Sequence, residues 1–516
     1  MRGVDNLLTK KMQKEVIDLC SDEESKYIPP AKKRKVSNDA ACAREADASG
    51  WQPFYLTKVC GIENPYNNNS LSFQDLICQD EHNPIDEACF MNYMMDLSWM
   101  VSLCPFLLTC KTLIVHGSTV EQLRHPNWII SKVDMGMERY GTHHSKMAFL
   151  FYSTGVRIVI TTANFIPEDF SFRTQATYVQ DFPPKASSEV AGSEFEQSLV
   201  DYLDKVSVSE RAQQRLVGIC QRLRAYDFTA AEVTLVASVP GRHTTHKDKW
   251  GLGKLCKELS KADSCGDRWR DYKLVMQCSS LGSMGPEGKL LHDYARRMMC
   301  PQSAKKASVE DFELVWPTVE CVRTSLQGYE SGNSLPCNTK TLYRADGKNL
   351  LPGFANRLYQ WDGLVSGRER ATPHMKCYFR YALQEGQVHL SWFFLTSSNM
   401  SQAAFGVFQS NDSQLYIKSY EMGVLYLPNK LKTVHRTFTC TPSHPILGRI
   451  GGTSSSIMET RFVAANSTVQ GSGEQYVGFP IPFVLPPEPY SKDDVPWVWD
   501  RGFSAPDVLG RRKVLS

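Results

Sequence analysis

Short apolar runs and amphipathic stretches alternate along the chain from about residue 50 onward. The apolar runs are rich in β-branched and aromatic residues and are bounded by polar ones, which is typical of buried strands. The amphipathic stretches repeat apolar residues at helical spacing. Strands are predicted at 112–116, 156–160, 232–239, 273–278, 389–396 and 422–427, and helices at 194–206, 211–226 and 290–299. This alternation indicates an α/β fold.

The two ends of the chain depart from this pattern. Residues 1–50 are rich in Lys, Asp, Glu, Ser and Ala and contain one aromatic residue, Tyr27, so we predict a disordered tail. Residues 479–499 contain six prolines, a density that excludes a helix, and we predict extended backbone that wraps the surface. Folded sequence is expected from about residue 51, with a boundary near Ala230.

The predicted tail carries two short motifs. The basic run at 29–36, PPAKKRKV, resembles a nuclear import signal that an import receptor grips as an extended segment, with a DNA-steering arm or a solvated charge run as the alternative. Val16, Ile17, Asp18 and Leu19, followed by an acidic patch, resemble a SUMO-interacting motif, which adds a strand to the partner's sheet. The alternative for this second motif is a short amphipathic stretch without a partner.

Composition argues against several protein classes. The 516 residues carry a net charge of only +3, so any nucleic-acid surface has to come from local clustering of basic residues. Sixteen cysteines without a Cys-x-x-Cys pair favour reduced thiols in an intracellular protein over a disulfide framework or a zinc site. No apolar run reaches the roughly 18 residues of a membrane span, and no apolar signal core opens the chain. We therefore expect neither a membrane protein nor a secreted one.

The most informative feature is a divergent repeat. Each copy consists of a His-x-Lys motif, a strand and an Asn after the strand: His144, Lys146 and Asn164 in the first copy, and His374, Lys376 and Asn399 in the second. The spacing from His to Asn is 20 residues in the first copy and 25 in the second. In extended backbone, residues i and i+2 share a face, so the His and Lys of each motif are expected to project together.

Two such half-sites facing one another would present two imidazoles, two ammonium groups and two amides. This set suits a phosphodiester, because lysines neutralise the non-bridging oxygens, amides donate hydrogen bonds, and two imidazoles serve an in-line displacement. A lone His-x-Lys on a strand usually has no function. Two copies with the same downstream order rarely arise by chance, so the repeat favours phosphodiester chemistry.

These motifs resemble the phospholipase D superfamily, and most closely its tyrosyl-DNA phosphodiesterase branch. Other branches carry an Asp five residues after each motif lysine, where this chain has Phe151 and Tyr381. The resemblance extends over nearly all of residues 51–516 and includes the segments at 53–57, 277–283, 398–406, 419–424, 485–488 and 496–499. It implies two similar phospholipase D-like α/β/α sandwich domains, residues 51–230 and 231–516, related by pseudo-two-fold symmetry.

The resemblance also implies a reaction. His144 would be the nucleophile that attacks phosphorus and displaces the tyrosine of a topoisomerase I peptide from a blocked 3′ DNA end. His374 would act first as general acid and then as general base on the water that cleaves the phosphohistidine. The two motif lysines and the two asparagines would hold the phosphoryl oxygens, and neither metal nor cofactor is implied. Gln175 and Glu421 match the family residues that orient the histidines, and we expect Glu421 to pair with His144 and Gln175 with His374.

The resemblance places the DNA strand along small residues with free backbone N–H groups. These are Ser279, Ser280, Ser283, Ser401, Gln402 and Ala403. Tyr140 either stacks on a base or packs in the core. His143 is expected to point to the opposite face from His144 and to be structural. His243 and His246 have a spacing that suits a metal on a helix, but they follow Pro240 in a predicted loop, so we interpret them as solvated.

Three functions stay open from the sequence. The first is a nuclear, monomeric DNA 3′-end repair phosphodiesterase. The second is a phospholipase or endonuclease of the same superfamily, and the third is a catalytically inactive scaffold that binds DNA and SUMO-modified partners. The missing Asp residues and the nuclear-type tail argue against the second function. Retention of both histidines, lysines and asparagines argues against the third.

Overall fold

The computed structural model describes residues 53–514 with gaps at 69, 78–83, 119, 121–124, 137, 139, 188–191, 263–270, 300–311, 385–386, 431–459 and 464–475. The predicted tail at 1–50, with the SUMO-like motif at 16–19 and the basic run at 29–36, lies outside the described residues.

Strands occur in both halves of the chain: β1 (Tyr55–Leu56), β2 (Ile85–Asn92), β3 (Lys111–His116), β4 (Trp128–Lys132), β5 (Met147–Tyr152), β6 (Val156–Thr161), β7 (Arg173–Thr174), β8 (Ala176–Phe182), β9 (Thr234–Ser238), β10 (Gly241–His243), β11 (Lys273–Gln277), β12 (Phe312–Val315), β13 (Leu358–Tyr359), β14 (Thr372–Pro373), β15 (Cys377–Gln384), β16 (Gln387–Thr396), β17 (Val407–Gln409), β18 (Gln414–Ile417), β19 (Glu421–Tyr426), β20 (Thr460–Val463) and β21 (Tyr476–Gly478).

Helices connect and cover these strands: α1 (Asn64–Asn67), α2 (Phe73–Leu76), α3 (Leu97–Leu103), α4 (Pro167–Ser171), α5 (Glu194–Leu203), α6 (Glu210–Leu223), α7 (Gly251–Lys261), α8 (Lys289–Met299), α9 (Val319–Arg323), α10 (Thr339–Leu342) and α11 (Gln402–Phe405). Short 3-10 helices lie at Pro105–Leu108, Pro286–Gly288, Gly328–Ser334, Leu364–Ser366 and Pro428–Lys430.

Two large sheets carry the fold, and their strand orders correspond position by position. The first sheet has the order β1-β8-β6-β5-β2-β3-β4, and seven of the nine strands of the second sheet have the order β9-β19-β16-β15-β11-β12-β13, with β20 and β21 attached to it through β16. In each of these seven-strand orders the last three strands are parallel, and the other neighbours pair antiparallel. In the second sheet, β20 also pairs with β16 in parallel and with β21 antiparallel. The predicted α/β fold is confirmed. The pseudo-two-fold relation stays a prediction, which this matching order supports.

Three apolar clusters cover the faces of the two sheets. One contains residues of both sheets together with α5 and α6, including Phe149, Leu199, Leu216, Phe379 and Val424. A second packs α7 and α8 against the second sheet, and a third packs α3 against the first. The strands of the first sheet all lie within 55–182 and those of the second within 234–478, but the first cluster spans both. The division into domains at 51–230 and 231–516 therefore stays a prediction.

The predicted strands and helices all have counterparts, with ends displaced by three residues or fewer. The expectation for residues 479–499 is wrong in part. The backbone is largely without regular structure, but Phe479, Phe483 and Leu485 are buried, and Trp497 is 0% exposed. Phe479 packs on Phe393 at 5.2 Å between ring centroids. Prolines prevent a helix, but they do not prevent the apolar side chains between them from entering the core.

The ten cysteines in the described ranges are free thiols, and seven of them are buried, in keeping with their use as small apolar groups. In the same part of the chain, no helix combines the length and the apolar character needed to cross a bilayer.

Candidate active site

Each His-x-Lys motif lies in the extended segment that leads into a central strand, β5 or β15. The backbone alternates as expected: His143 and Ser145 both point toward the hydroxyl of Tyr202, at 3.5 and 2.6 Å. His144 and Lys146 face the other way, toward the ring of Tyr93, with the Lys146 Nζ 5.9 Å from the ring centroid. The motif therefore presents its imidazole and its ammonium group on one side.

Each motif is anchored by the other half of the chain. The backbone N–H of His144 donates to the Tyr420 carbonyl at 2.9 Å, one residue before Glu421. The N–H of His374 donates to the Thr174 carbonyl at 3.0 Å, one residue before Gln175, where β14 and β7 pair in parallel. These exchanged contacts bring the two half-sites together, although the residues that they join are 200 or more positions apart in the chain.

In the first half-site, the Nδ1 of His144 lies 2.9 Å from a carboxylate oxygen of Glu421. The hydroxyl of Ser397 donates to the same oxygen at 2.5 Å. The ammonium group of Lys146 donates to the carbonyl of His144 at 2.8 Å. The Glu421 carboxylate is therefore fixed, and it holds the His144 ring with Nε2 as the nitrogen left for a ligand.

In the second half-site, the Nδ1 of His374 lies 2.6 Å from the amide nitrogen of Gln175. The amide oxygen of Gln175 accepts a hydrogen bond from the hydroxyl of Thr162 at 2.7 Å. Lys376 donates to the carbonyl of His374, as Lys146 does to His144. The expected pairs, Glu421 with His144 and Gln175 with His374, are thus in contact.

The two asparagines are held differently. The amide oxygen of Asn399 accepts from the N–H of Ser279 at 3.1 Å, from its hydroxyl at 3.2 Å, and from the N–H of Ser280 at 3.0 Å. This leaves the NH₂ group of Asn399 for a ligand. The backbone N–H and the NH₂ group of Asn164 both donate to one oxygen of Asp169, at 2.6 and 3.1 Å.

Burial lowers the pKa of both histidines. For His144, the Glu421 carboxylate opposes this effect. For His374, burial and then the Lys376 charge lower the pKa to about 3, and the carboxylate of Asp169 opposes them. Both rings are therefore neutral at pH 7 in the free protein, as a nitrogen nucleophile must be.

Burial destabilises the charged forms of the two motif lysines, as it does those of the histidines. Burial lowers the pKa of Lys146 to about 8. Burial and the charge of Lys146 hold the pKa of Lys376 well below its usual value. A bound anion between the two lysines would relieve both effects, so the site is poised for an anionic ligand.

The family model of tyrosyl-DNA phosphodiesterases matches residues 53–491. The chain belongs to the tyrosyl-DNA phosphodiesterase family. A tyrosyl-DNA phosphodiesterase 1 of Arabidopsis thaliana is 34% identical over 536 aligned residues, which cover 96% of this chain and 85% of the relative. That of Drosophila melanogaster is 28% identical, with 92% and 77% covered. The crystal structure of the yeast enzyme matches with a TM-score of 0.60 at 17% identity, over 87% of this chain and 99% of that one, and supports the fold.

Two of the DNA-contacting residues expected from the family, Ser279 and Ser280, contact Asn399, and not all of the expected residues offer free donors. Ser279 is buried, and the N–H groups of Ser279 and Ser280 are both directed at Asn399. The expectation of free N–H groups at these two positions is therefore wrong, because both groups hold a side chain. Ser283 is exposed, and Gln402 donates to its carbonyl at 3.4 Å. Ser401 caps α11 by accepting from the N–H of Ala404, and Ala403 lies in the first turn.

Four aromatic or imidazole side chains that the sequence singled out lie outside the two half-sites. Tyr140 is 78% exposed, so the core-packing alternative for it is wrong. His143 is fully buried, and burial lowers its pKa to about 3, which fits the structural role expected of it. The interpretation of His243 as a solvated loop residue is wrong in part, because it ends β10 and its ring bonds the Val239 carbonyl at 2.8 Å. His246 is exposed.

Sequence reasoning missed Asp169, which lies 3.3 Å from the Nδ1 of His374. In the sequence, Asp169 stands five residues after Asn164, but Ala404 stands five residues after Asn399. A comparison of the two copies therefore does not point to Asp169. Tyr93 was missed as well, since it follows β2 without any motif. Across the described ranges, no group of three or more His, Cys, Asp or Glu side chains is arranged to hold a metal ion.

Proposed function

We propose that this protein hydrolyses the 3′-phosphotyrosyl bond between DNA and a topoisomerase I peptide, through a covalent phosphohistidine, and leaves a 3′-phosphate. The observation that carries the proposal is the pair of His-x-Lys half-sites, brought together by exchanged backbone contacts and given unequal partners at the two Nδ1 atoms. The same site acts on other adducts that block a 3′ DNA end.

In the first step, the Nε2 of His144 attacks phosphorus and forms a P–N bond while the bond from phosphorus to the tyrosine oxygen breaks. The Glu421 carboxylate accepts the Nδ1–H, which keeps the Nε2 lone pair toward phosphorus and stabilises the positive charge that develops on the ring. The imidazolium form of His374 gives its proton to the leaving phenolate. The peptide then departs with a neutral tyrosine.

In the second step, His374 accepts a proton from water, whose oxygen attacks phosphorus as the P–N bond breaks. His144 returns to its neutral form, and the DNA keeps a 3′-phosphate. His374 thus alternates between acid and base, whereas His144 forms the covalent bond. The low pKa of His374 in the free protein means that its acid form depends on the negative charge of the bound phosphodiester.

Lys146, Lys376, Asn164 and Asn399 bind the non-bridging oxygens and stabilise the charge of the transition state. No metal or cofactor takes part in this mechanism. The lysine charges, which oppose one another in the free protein, supply electrostatic stabilisation where the phosphoryl group binds.

The DNA strand is proposed to follow a surface that leads away from Asn399. Along it, Gln402 reaches the carbonyl of Ser283, and the N–H of Lys418 donates to the Ala403 carbonyl at 3.1 Å. The Lys418 ammonium lies 5.7 Å from the ring centroid of Tyr140. Ser280 and Ser401 border the same surface. An exposed aromatic ring next to a lysine suits a stacked base and its phosphate.

The setting of this reaction is proposed to be DNA repair in the nucleus, by a monomer, since one chain supplies both half-sites. The basic run at 29–36 would bind an import receptor. Val16, Ile17, Asp18 and Leu19 would bind SUMO or SUMO-modified proteins.

The test is an oligonucleotide carrying a 3′-phosphotyrosine, incubated with the protein in the presence of EDTA. The proposal expects release of tyrosine and a 3′-phosphate end. Strict metal dependence would favour a different nuclease or phospholipase of the superfamily, and binding without any release would favour an inactive scaffold. Either of these results contradicts the proposal.

A further inference from the structure

Asp169 occupies a position at the junction of the two half-sites. It lies on the short helix α4, is fully buried, and has Arg173 paired with one of its carboxylate oxygens. The other oxygen accepts both hydrogen bonds from Asn164 and lies 3.3 Å from the Nδ1 of His374. A buried carboxylate thus contacts an amide of the first half-site and the imidazole of the second.

The contacts of Asp169 have no equivalent in the second half-site. In the second copy, Ala404 stands where Asp169 follows Asn164, and the backbone of Ser279 and Ser280 holds Asn399 instead. The histidine partners are also unequal, because His144 has the carboxylate of Glu421 where His374 has an amide. With Asp169 included, each histidine has one carboxylate beside its Nδ1, but from a different element.

In the orientation that its amide group has here, Gln175 serves only one protonation form of His374. Its amide oxygen is occupied by the hydroxyl of Thr162, so its NH₂ group faces the ring at 2.6 Å. An N–H donor satisfies an Nδ1 lone pair, but it opposes an Nδ1 that carries a proton. Both the imidazolium and the base-competent ring, with its Nε2 lone pair toward the substrate, carry that proton. Each of these forms therefore needs an acceptor other than Gln175.

We propose that Asp169 is a positioning residue that accepts the Nδ1–H of His374 while the ring gives and takes the catalytic proton. Gln175 holds the resting ring, and the hydrogen bond moves to Asp169 when Nδ1 becomes protonated. The charged groups that face His374 are Lys376, Arg173 and Asp169, and only Asp169 is negative. This inference rests on the acid and base role of His374 in the proposed function.

The experiment follows the burst of tyrosine release and the decay of the phosphohistidine separately, as functions of pH. Asp169→Asn keeps the shape of the side chain and removes its charge. We expect the burst of tyrosine release at pH 7.5 to be about tenfold slower or more. As pH rises, the burst rate should begin to fall about one pH unit lower than in the wild type, because the His374 imidazolium is less stable without the carboxylate. Glu168→Gln, which removes the neighbouring carboxylate of α4, should leave the pH profile unchanged.

A rescue variant separates positioning from a purely structural role. Gln175→Glu in the Asp169→Asn background places a carboxylate at the atom 2.6 Å from Nδ1, and we expect it to restore the wild-type pH profile at least in part. An Asp169→Asn variant that is slower by the same factor at every pH, or that the second change does not rescue, would overturn the inference. If wild-type protein gives neither burst nor phosphohistidine, the proposed function itself has failed.

Discussion

The two half-sites share a backbone plan and differ in the groups that hold their histidines. Both motifs precede a central strand, both lysines donate to the carbonyl of their own histidine, and both histidine N–H groups donate to the opposite half of the chain. His144, however, bonds a carboxylate, and His374 bonds an amide. Similar backbone contacts therefore hold the two histidines in different chemical environments.

This difference fits the proposed division of labour between the two histidines. A carboxylate fixed on Nδ1 suits a ring that must stay in one tautomer and then carry positive charge while bonded to phosphorus. A neutral amide with a carboxylate nearby suits a ring that has to change its protonation form twice in each cycle. In the proposed mechanism, the features that the two half-sites share bind the phosphoryl group, and the features in which they differ give the two histidines different roles.

The largest expected effect separates the two histidines. His144→Ala removes the atom that bonds phosphorus, so turnover should fall by at least about 10³-fold with no covalent adduct. His374→Ala should also be slow, but it should accumulate a protein–DNA adduct, since the second step loses its base. Rapid quench and denaturing gels measure both properties. If both variants lack the adduct, the comparison between the two histidines fails.

A smaller loss is expected when the two environments are made alike. Glu421→Gln gives His144 an amide partner like that of His374, and we expect kcat to fall by about 10²-fold or more, because the nucleophile loses its tautomer and its counter-charge. Gln180→Glu, the reverse exchange of amide and carboxylate on β8 away from the site, is the control for a change at a position that does not contact His144. Wild-type turnover in the Glu421 variant would show that the partner does not set the role.

The pH dependence of catalysis tests the role of the lysines in the two half-sites. Lys146 has its pKa lowered to about 8, so its ammonium is charged below pH 8 and neutral above it. We therefore expect kcat/KM, which reports the free enzyme, to decline as pH rises through about 8. Lys146→Arg keeps its charge, so the part of this decline that Lys146 causes should be absent, and the part that remains belongs to Lys376, whose pKa is also lowered. If kcat/KM of the arginine variant declines at high pH just as that of the wild type does, Lys146 is not the cause of the decline.

The smallest effect is expected on the DNA surface outside both half-sites. Lys418→Gln should weaken binding of the oligonucleotide a few-fold and reduce the slope of log affinity against log salt by roughly 1, with single-turnover chemistry unchanged. Fluorescence anisotropy at several salt concentrations measures this. A loss confined to the chemical step would place Lys418 inside the reaction instead.

The sequence was sufficient to predict those elements and site residues that follow from a local pattern. Strands 112–116 and 156–160 and the helix at 290–299 follow from periodicity, and the two motifs follow from their repetition. The sequence could not yield contacts made only by tertiary folding. Asp169 reaches His374 across 205 residues, and its second-copy counterpart is Ala404. The buried Phe479 and Trp497 were missed for a similar reason, because proline density predicts backbone conformation and not the burial of side chains.

The central claim is that His144 bonds phosphorus while His374 moves protons. The most direct test is to trap the adduct of His374→Ala on a 3′-phosphotyrosyl oligonucleotide, digest it under alkaline conditions that preserve phosphohistidine, and map the modified peptide by mass spectrometry. The account predicts the nucleotide on the peptide that contains His144, at that histidine. An adduct at any other residue, or tyrosine release with no adduct at any time point, would contradict it.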